Sequence, residues 1–364
     1  MGKSHGIGIV GLGVISRAYL ETLVKHPRLT LVAVADLDPE RARATAENTG
    51  ASALGVDEML RHPDVDTVLN LTIPAAHAEV ALAAIGQGKD VYGEKPLATT
   101  LADGRSILAA ATAAGVRVGS APDTVLGTGT QTARAAVDSG AIGRPVSATA
   151  TWFAPGHEAW HPNPDFYYAP GGGPLLDMGP YYITSLVQIL GPVVSATGAS
   201  SRLRPRRVIA TGPRVGEEIP VTVDTHVTGI LEHASGALST VTMSFDGVRT
   251  EANPIEIHGE SGSLSVPDPN MFDGEVRLFG IGDESWTVLP PSAGFVDGSR
   301  GAGLIDFALG DRDAPLASGA LGLHVLEVMT AILDSAQSGR RITVESQVER
   351  PPLVPLTPSS QWLS

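Results

Sequence analysis

Between residues 6 and 120 the chain repeats one unit: a short apolar run rich in β-branched residues, a turn, then apolar residues at helical spacing. Residues 6–10 read as a strand, and Ile15, Ala18, Tyr19, Thr22 and Leu23 follow at the period of a helix. Residues 31–35 form a second strand, after which Pro39 opens a helix that Gly50 closes. Residues 67–71 and 90–93 continue the pattern as strands. Between them Ala78, Ala81, Leu82 and Ile85 share one helical face. A helix over 101–114 and a strand over 116–120 complete the series. Strands separated by helices run parallel, with helices covering both faces of the sheet. A doubly wound α/β domain over residues 1–122 is the expectation.

Beyond Pro122 the texture changes. A helix over 130–137 and a strand over 146–153 precede an irregular segment, 155–174, dense in Gly, Pro, His and aromatic residues. A connection that long inside a compact domain points to a functional loop. Next comes a helix with Ile183, Leu186, Val187 and Leu190 as its buried stripe. Strands over 221–231, 237–245, 255–258 and 264–266 follow, with turn residues between them that predict antiparallel pairing. A late helix over 321–335 precedes a Pro-rich tail. With 364 residues there is core material for two domains, the second covering 123–364.

The totals exclude several partners. A net charge of −14 repels nucleic acid and anionic membrane, and leaves small molecules and other protein chains. The absence of cysteine excludes disulfides and thiolate metal sites, and no metal is expected. No run approaches the ~20 apolar residues of a membrane span. The opening MGKSHGIGIVGLG lacks the form of a signal peptide, so a cytoplasmic location is expected.

Directly after the first strand, Gly11, Gly13 and Ser16 spell G-x-G-x-x-S. The first glycine permits a tight turn, the second lets the backbone approach a pyrophosphate, and the third position needs only a small residue. Amides at the helix start, with Val14 and Ile15 among the contacts, would then hold the phosphates. Asp36, followed by Leu37, ends the second strand, where a carboxylate accepts from both ribose hydroxyls and repels a 2′-phosphate. NAD is therefore the expected cofactor. Two alternatives stand beside this: Asp36 as a helix cap, and Arg41 or Arg43 relaxing the preference toward NADP.

Three further segments complete a pattern: NLTIPAAH at 70–77, GEKPL at 93–97 and GGGPLLDMGPYY at 171–182. Together with GLGVIS they resemble the glucose–fructose oxidoreductase / inositol dehydrogenase (Gfo/Idh/MocA) family over nearly the whole chain. The resemblance implies a Rossmann domain followed by an α/β domain with a large, mostly antiparallel open sheet. It also implies an active site between the domains and homo-oligomers, dimers or tetramers, built on that sheet. It makes Lys95 the group that hydrogen-bonds the reacting hydroxyl, and places Thr72, Pro74 and His77 on a loop along the cofactor. Glu94 would position the lysine or the ribose. An ammonium beside a cationic nicotinamide in a partly dry cleft is expected to have a lowered pKa. His77 reads equally well as a helix-start histidine, and Lys95 as a surface lysine.

Asp177 and Tyr181 are four residues apart at a helix start, hence on one face. Pro180 is expected not to disturb this, because the first-turn amide it lacks would be an orphan. Many family members carry histidine where this chain has Tyr181. Tyrosine also occurs there, and a phenol needs nearby positive charge, which Lys95 and the nicotinamide would provide. Core packing for Tyr181 and helix capping for Asp177 are the plain alternatives. In the loop before this helix, Trp160, His161, Asp165, Phe166, Tyr167 and Tyr168 offer aromatic faces and short polar groups suited to a carbohydrate. Trp160 and His161 are the foremost substrate contacts. The run Arg202, Arg204, Arg206 and Arg207 reads as a solvated or subunit-contact loop.

Three functions remain open. The first is NAD-dependent hydride transfer at a secondary alcohol carbon of a sugar, polyol or glycoside, using Lys95, Asp177 and Tyr181. The second is an oxidoreductive glycoside hydrolase that retains its NAD through oxidation, elimination, water addition and reduction. The third is a non-catalytic ligand sensor on the same fold.

Overall fold

The computed structural model describes residues 4–313 and 315–364. The first layer contains β1 (His5–Val10), α1 (Ser16–Leu23), β2 (Leu29–Ala35), α2 (Pro39–Thr49), β3 (Ser52–Ala53), α3 (Val56–Arg61), β4 (Thr67–Asn70), α4 (His77–Gly86), β5 (Asp90–Gly93), α5 (Leu101–Ala114) and β6 (Val118–Ser120). Its six strands lie in the order β3-β2-β1-β4-β5-β6, all parallel. The reversal of order beside β1 is the switch point at which such sheets hold ligands. The glycines of β1 are packing choices: a Cβ on Gly8 would lie 3.0 Å from the Met59 sulfur of α3. Two elements add to the expected series. Strand β3 has only two residues, and α3 is a six-residue helix. Leu82, placed on one helical face with Ala78, Ala81 and Ile85, is exposed, because α4 turns the row His77, Ala81, Ala84 and Ile85 inward.

The second layer follows α6 (Thr128–Asp138). It contains β7 (Pro145–Phe153), α7 (Pro174–Leu190), β8 (Val193–Ser201), the hairpin β9 (Arg206–Val208) and β10 (Glu218–Pro220), then β11 (His226–His233), β12 (Leu238–Ser244), β13 (Ile255–Gly259), β14 (Gly262–Val266), β15 (Val276–Gly280) and β16 (Thr287–Leu289). The helices α8 (Ala302–Leu309) and α9 (Gly319–Ser338), the strand β17 (Ile342–Thr343) and α10 (Ser359–Trp362) end the chain. Nine strands form an open sheet, β16-β15-β14-β13-β7-β12-β11-β8-β17, antiparallel except where β12 lies parallel to β7. The strand expected to start at residue 221 starts at His226, because 218–220 pair instead with 206–208.

One face of this sheet, through Ala148, Ala150, Leu231, Val241, Met243 and Ile257, is buried beneath α7 and α9. The other presents Thr149, Ile230, Leu238 and Thr240 to solvent. Helix α9 has the length and apolar composition of a membrane span, yet Leu321, Val325, Leu326, Val328, Met329 and Ile332 are all buried in the core. It also joins the layers: Gly104 of α5 leaves room for Leu323 and Leu326, which a Cβ would meet at 3.0 and 3.1 Å. Segments after residue 301 do not all keep to the second layer. Ile305 and Phe307 of α8, Val354 and Trp362 return to pack with Ile7, Ile9, Tyr19 and Tyr92 of the first. The cleft between the layers is thus lined from three directions.

Candidate active site

At the end of β1, Gly11 takes φ +90°, and a Cβ there would stand 2.7 Å from the Leu71 carbonyl group. Only glycine fits both demands. Gly13 is the opposite case: a Cβ would meet nothing within 4 Å. Ser16 fills the small-residue position and also ties the turn, its hydroxyl donating to the Gly13 carbonyl at 2.7 Å. Helix α1 has no side-chain cap at Ile15. Among the described residues the amides of Gly13, Val14 and Ile15 find no acceptor. Free amides at a helix start with open space before them fit a diphosphate.

Asp36 accepts from the Leu12 amide at 2.7 Å and from the Asp38 amide at 2.8 Å. The cap of α2 is Asp38, which accepts from Glu40 and Arg41, so the helix-cap reading of Asp36 falls. Arg41 reaches Asp36 at 3.4 Å, whereas Arg43 turns away to Glu40. Val14 and Leu37 stand 85% and 97% exposed beside the turn, an apolar rim that a planar nucleoside would cover.

The loop after β4 is held from within. Thr72 bonds Asn70 through both its amide and its hydroxyl, and Pro74 opens a short 3-10 turn. His77 is buried, with its ring nitrogens 2.7 Å from the Pro96 carbonyl oxygen and 3.0 Å from that of Thr72. His77 opens α4 and clamps the Thr72 loop to the segment bearing Lys95. Glu94 accepts from the Tyr19 hydroxyl at 2.8 Å and from the Lys95 amide at 3.1 Å. It positions the backbone of the lysine.

Lys95 leaves β5 and crosses to α7. Its ammonium donates to the Asp177 carbonyl at 2.6 Å and to Asp177 Oδ1 at 2.8 Å, and lies 4.9 Å from the centre of the Tyr181 ring. Burial opposes the charge on Lys95, but the Asp177 carboxylate outweighs it and raises the ammonium above its usual range. The part of the expected lowering that rested on burial is corrected: a carboxylate counter-ion within hydrogen-bond distance overrides desolvation. For Asp177, burial pushes upward, and Lys95 with His157 more than reverses it, leaving the carboxyl well below its usual range. Asp177 is not merely a cap, since both oxygens are engaged by other segments.

Helix α7 begins at Pro174, so Pro180 lies inside it rather than in its first turn. The expectation that its missing amide would be an orphan is overturned: it removes the bond to the Leu176 carbonyl. The adjacent carbonyl, that of Asp177, is the one that accepts from Lys95.

Two residues enter the site that the motifs do not contain. His157 lies 2.6 Å from Asp177 Oδ2 through its Nε2. Arg300 donates to the Tyr181 hydroxyl at 3.3 Å and to Asn270 at 2.9 Å, and pairs with buried Asp123 at 3.6 Å. The positive charge on the phenol's hydroxyl side is thus Arg300, while Lys95 lies over the ring.

Around them the 155–174 loop folds into a wall. Trp160 is 56% exposed, and its indole donates to His157 Nδ1 at 3.1 Å. His161 faces elsewhere, taking the Asn163 amide at 3.1 Å while packing edge-on to Trp160, Phe166 and Tyr167. Asp165 pairs with Arg214 at 2.6 Å. Tyr168 is fully buried and donates to Glu158. Arg207, expected in a solvated loop, is buried: it bonds Glu158 at 2.8 Å and Asp246 at 2.5 Å, and anchors the wall from behind.

The sequence profile of an oxidoreductase family with an NAD-binding Rossmann fold matches residues 5–121, and that of the GFO/IDH/MocA C-terminal domain matches residues 130–265. The chain belongs to the Gfo/Idh/MocA family. It is an NAD-binding oxidoreductase. It is similar to 1,5-anhydro-D-fructose reductase of Ensifer adhaerens, 29% identical over 348 residues that cover 93% of this chain and 98% of that one. An NAD binding oxidoreductase from Klebsiella pneumoniae shares the fold with a TM-score of 0.81 at 23% identity, over 94% of this chain and 100% of that one. Levoglucosan dehydrogenase, solved with NADH and L-sorbose, does so with a TM-score of 0.78 at 22% identity, over 94% and 99%.

Within this Gfo/Idh/MocA frame, Lys95, Asp177 and Tyr181 are brought together as their motifs imply, and His161 is not. No local signal separates His157 from His161, which lies four residues on in the same loop. Nothing local marks Arg300, which arrives from the segment leading into α8.

Proposed function

We propose that this protein transfers a hydride between NAD and a secondary alcohol carbon of a sugar or polyol, with Lys95 hydrogen-bonded to the reacting oxygen. The Lys95 ammonium carries the assignment. Two of its three protons go to Asp177, leaving one N–H for a ligand in the cleft. Held as a cation, Lys95 donates to a carbonyl oxygen during reduction and stabilises the alkoxide that forms there; in the oxidation direction it favours loss of the hydroxyl proton. Tyr181 accepts from Arg300, so in reduction its own proton is free to pass to the same oxygen, and in oxidation the Tyr181 oxygen is the group that takes the hydroxyl proton back. NAD supplies the hydride acceptor, or as NADH the donor.

Residues 11–15, Asp36 and the Thr72 loop would hold the dinucleotide with Leu37 and Pro74 at its edge. Trp160 and Tyr167 offer aromatic faces to the C–H patches of a sugar. The nature of two similar proteins supports this class: a reductase of 1,5-anhydro-D-fructose and a dehydrogenase of levoglucosan.

The test is a screen for NADH formation across monosaccharides, inositols, anhydrosugars and glycosides, with the matching keto-sugars tested for NADH consumption. Stoichiometric NADH from one class is the expected result. Glycoside cleavage with only catalytic NAD and no accumulated NADH would replace this reaction with oxidoreductive hydrolysis. Sugar binding without turnover would make the protein a sensor.

A further inference from the structure

His157 sits between the substrate wall and the ion pair. The indole N–H of Trp160 can only donate, so the atom it meets, His157 Nδ1, must accept. An imidazole with Nδ1 accepting carries its proton on Nε2 alone. That proton points at Asp177 Oδ2, 2.6 Å away. The ring has little freedom to turn over: Tyr167 and Phe245 pack against it at 4.3 and 4.6 Å between centres. Asp177 in turn has Oδ1 on Lys95. Four side chains thus form one hydrogen-bonded series: a half-exposed indole donates to His157, and His157 and the Lys95 ammonium each donate to one oxygen of Asp177.

We propose that His157 is a positioning residue for this site: Trp160 fixes it as the Nε2–H tautomer, and in that form it holds the Asp177 carboxylate square to Lys95. The role rests on the assignment of Lys95 to the reacting oxygen. It also gives Trp160 a second duty, because a sugar that displaces or presses on the indole acts on the carboxylate through one imidazole.

The first measurement needs no substrate. Long-range ¹H–¹⁵N spectra of the wild-type protein at neutral pH should show His157 as the Nε2–H tautomer. An Nδ1–H tautomer overturns the proposal. The second uses the sugar found by the NADH screen. His157→Leu should lower kcat about 10- to 100-fold, the range in which outer hydrogen-bond partners of an active group act, with NAD affinity unchanged. His157→Gln places an amide N–H where Nε2–H stood and should recover most of the loss.

Trp160→Phe keeps the aromatic face and removes only the indole donor. It should lower kcat in the wild-type background and have no further effect on kcat beside His157→Leu, the non-additivity expected of one chain. Equal activity of the Leu and Gln variants, or additive effects of Trp160 and His157, refutes the role. If Lys95→Ala stays active on the same sugar, the catalytic assignment fails and the positioning role goes with it, whatever the tautomer. If Lys95→Ala is inactive while His157→Leu is normal, the positioning role alone fails.

Discussion

The glycine turn after β1 and the ion-paired site around Lys95 are built from different materials. The turn is made of backbone: Gly11 squeezed against Leu71, free amides at Gly13 to Ile15, and one carboxylate, Asp36, that braces Leu12. The pocket is made of side chains from segments far apart in sequence, with Lys95, His157, Asp177, Tyr181 and Arg300 touching in series. A backbone site tolerates side-chain change wherever the backbone keeps its course. A side-chain site fails at any link.

The largest effect should therefore come from Lys95→Ala, with a loss of roughly 10² to 10⁴ in turnover, the usual range for general acid–base help. NAD affinity, read by fluorescence titration, should barely change. A large fall in NAD affinity would mean that the two regions are not separable. Asp177→Asn sharpens the point through pH. In the wild type, Asp177 raises the Lys95 pKa against burial, so the ammonium persists as pH rises and kcat/KM for reduction should show no alkaline limb near neutrality. With the carboxylate gone, the largest counterweight to burial is lost and the ammonium gives up its proton at lower pH. The variant should gain an alkaline limb that the wild type lacks. Identical profiles would show that Lys95 does not depend on Asp177.

The turn offers a matched pair. Gly11→Ala forces a Cβ into the Leu71 carbonyl at positive φ, a strain of about 1–3 kcal/mol, so both Tm and NAD affinity should fall. Gly13→Ala meets open space in the free protein. It should leave Tm unchanged and still weaken NAD. If Gly13→Ala binds NAD normally, the diphosphate does not pass over this turn.

The open face of the nine-stranded sheet gives a test of a different kind. Thr149, Ile230, Leu238 and Thr240 stand uncovered on central strands, and one helix layer covers only the opposite face. Self-association through this face is expected, with a dimer or larger mass by light scattering at micromolar concentration. Ile230→Lys should weaken it. A monomeric wild type would refute it.

How far each region was legible in the sequence follows from the same contrast. The turn could be read because its parts are local: G-x-G-x-x-S and Asp36 fall within 26 residues, on a strand–helix–strand whose periodicity is plain. Lys95 and Asp177 could be placed because each sits in a motif. His157 and His161 occupy the same loop four residues apart, and no periodicity tells which imidazole points inward. That choice depends on how residues 155–174 fold over Phe245, just past the end of distant β12. Arg207 was misjudged for a related reason: its neighbours in sequence are solvated arginines, while its partners Glu158 and Asp246 are remote. The raised Lys95 pKa could not be read at all, because it depends on a 2.8 Å contact between two layers.

The smallest expected effect concerns the edge of the cofactor site, where backbone and side chain meet. Asp36 should make NAD bind more tightly than NADP, because its carboxylate lies where a 2′-phosphate would come. Asp36→Ala should narrow that gap, within about tenfold, the span of ~1.4 kcal/mol. The carboxylate also accepts from Leu12, so part of any lost NAD affinity belongs to the turn itself. NADP is the internal control, since both cofactors need the same turn and only one carries the phosphate. Arg41 decides the remainder. It lies 3.4 Å from Asp36 in the wild type, and without the carboxylate its guanidinium is released toward the same corner. Adding Arg41→Ala to Asp36→Ala should therefore cost NADP more than NAD and reopen the gap. If the double variant binds the two cofactors as the single one does, Arg41 plays no part in the choice. If the wild type already binds them equally, Asp36 braces Leu12 and does not meet the ribose.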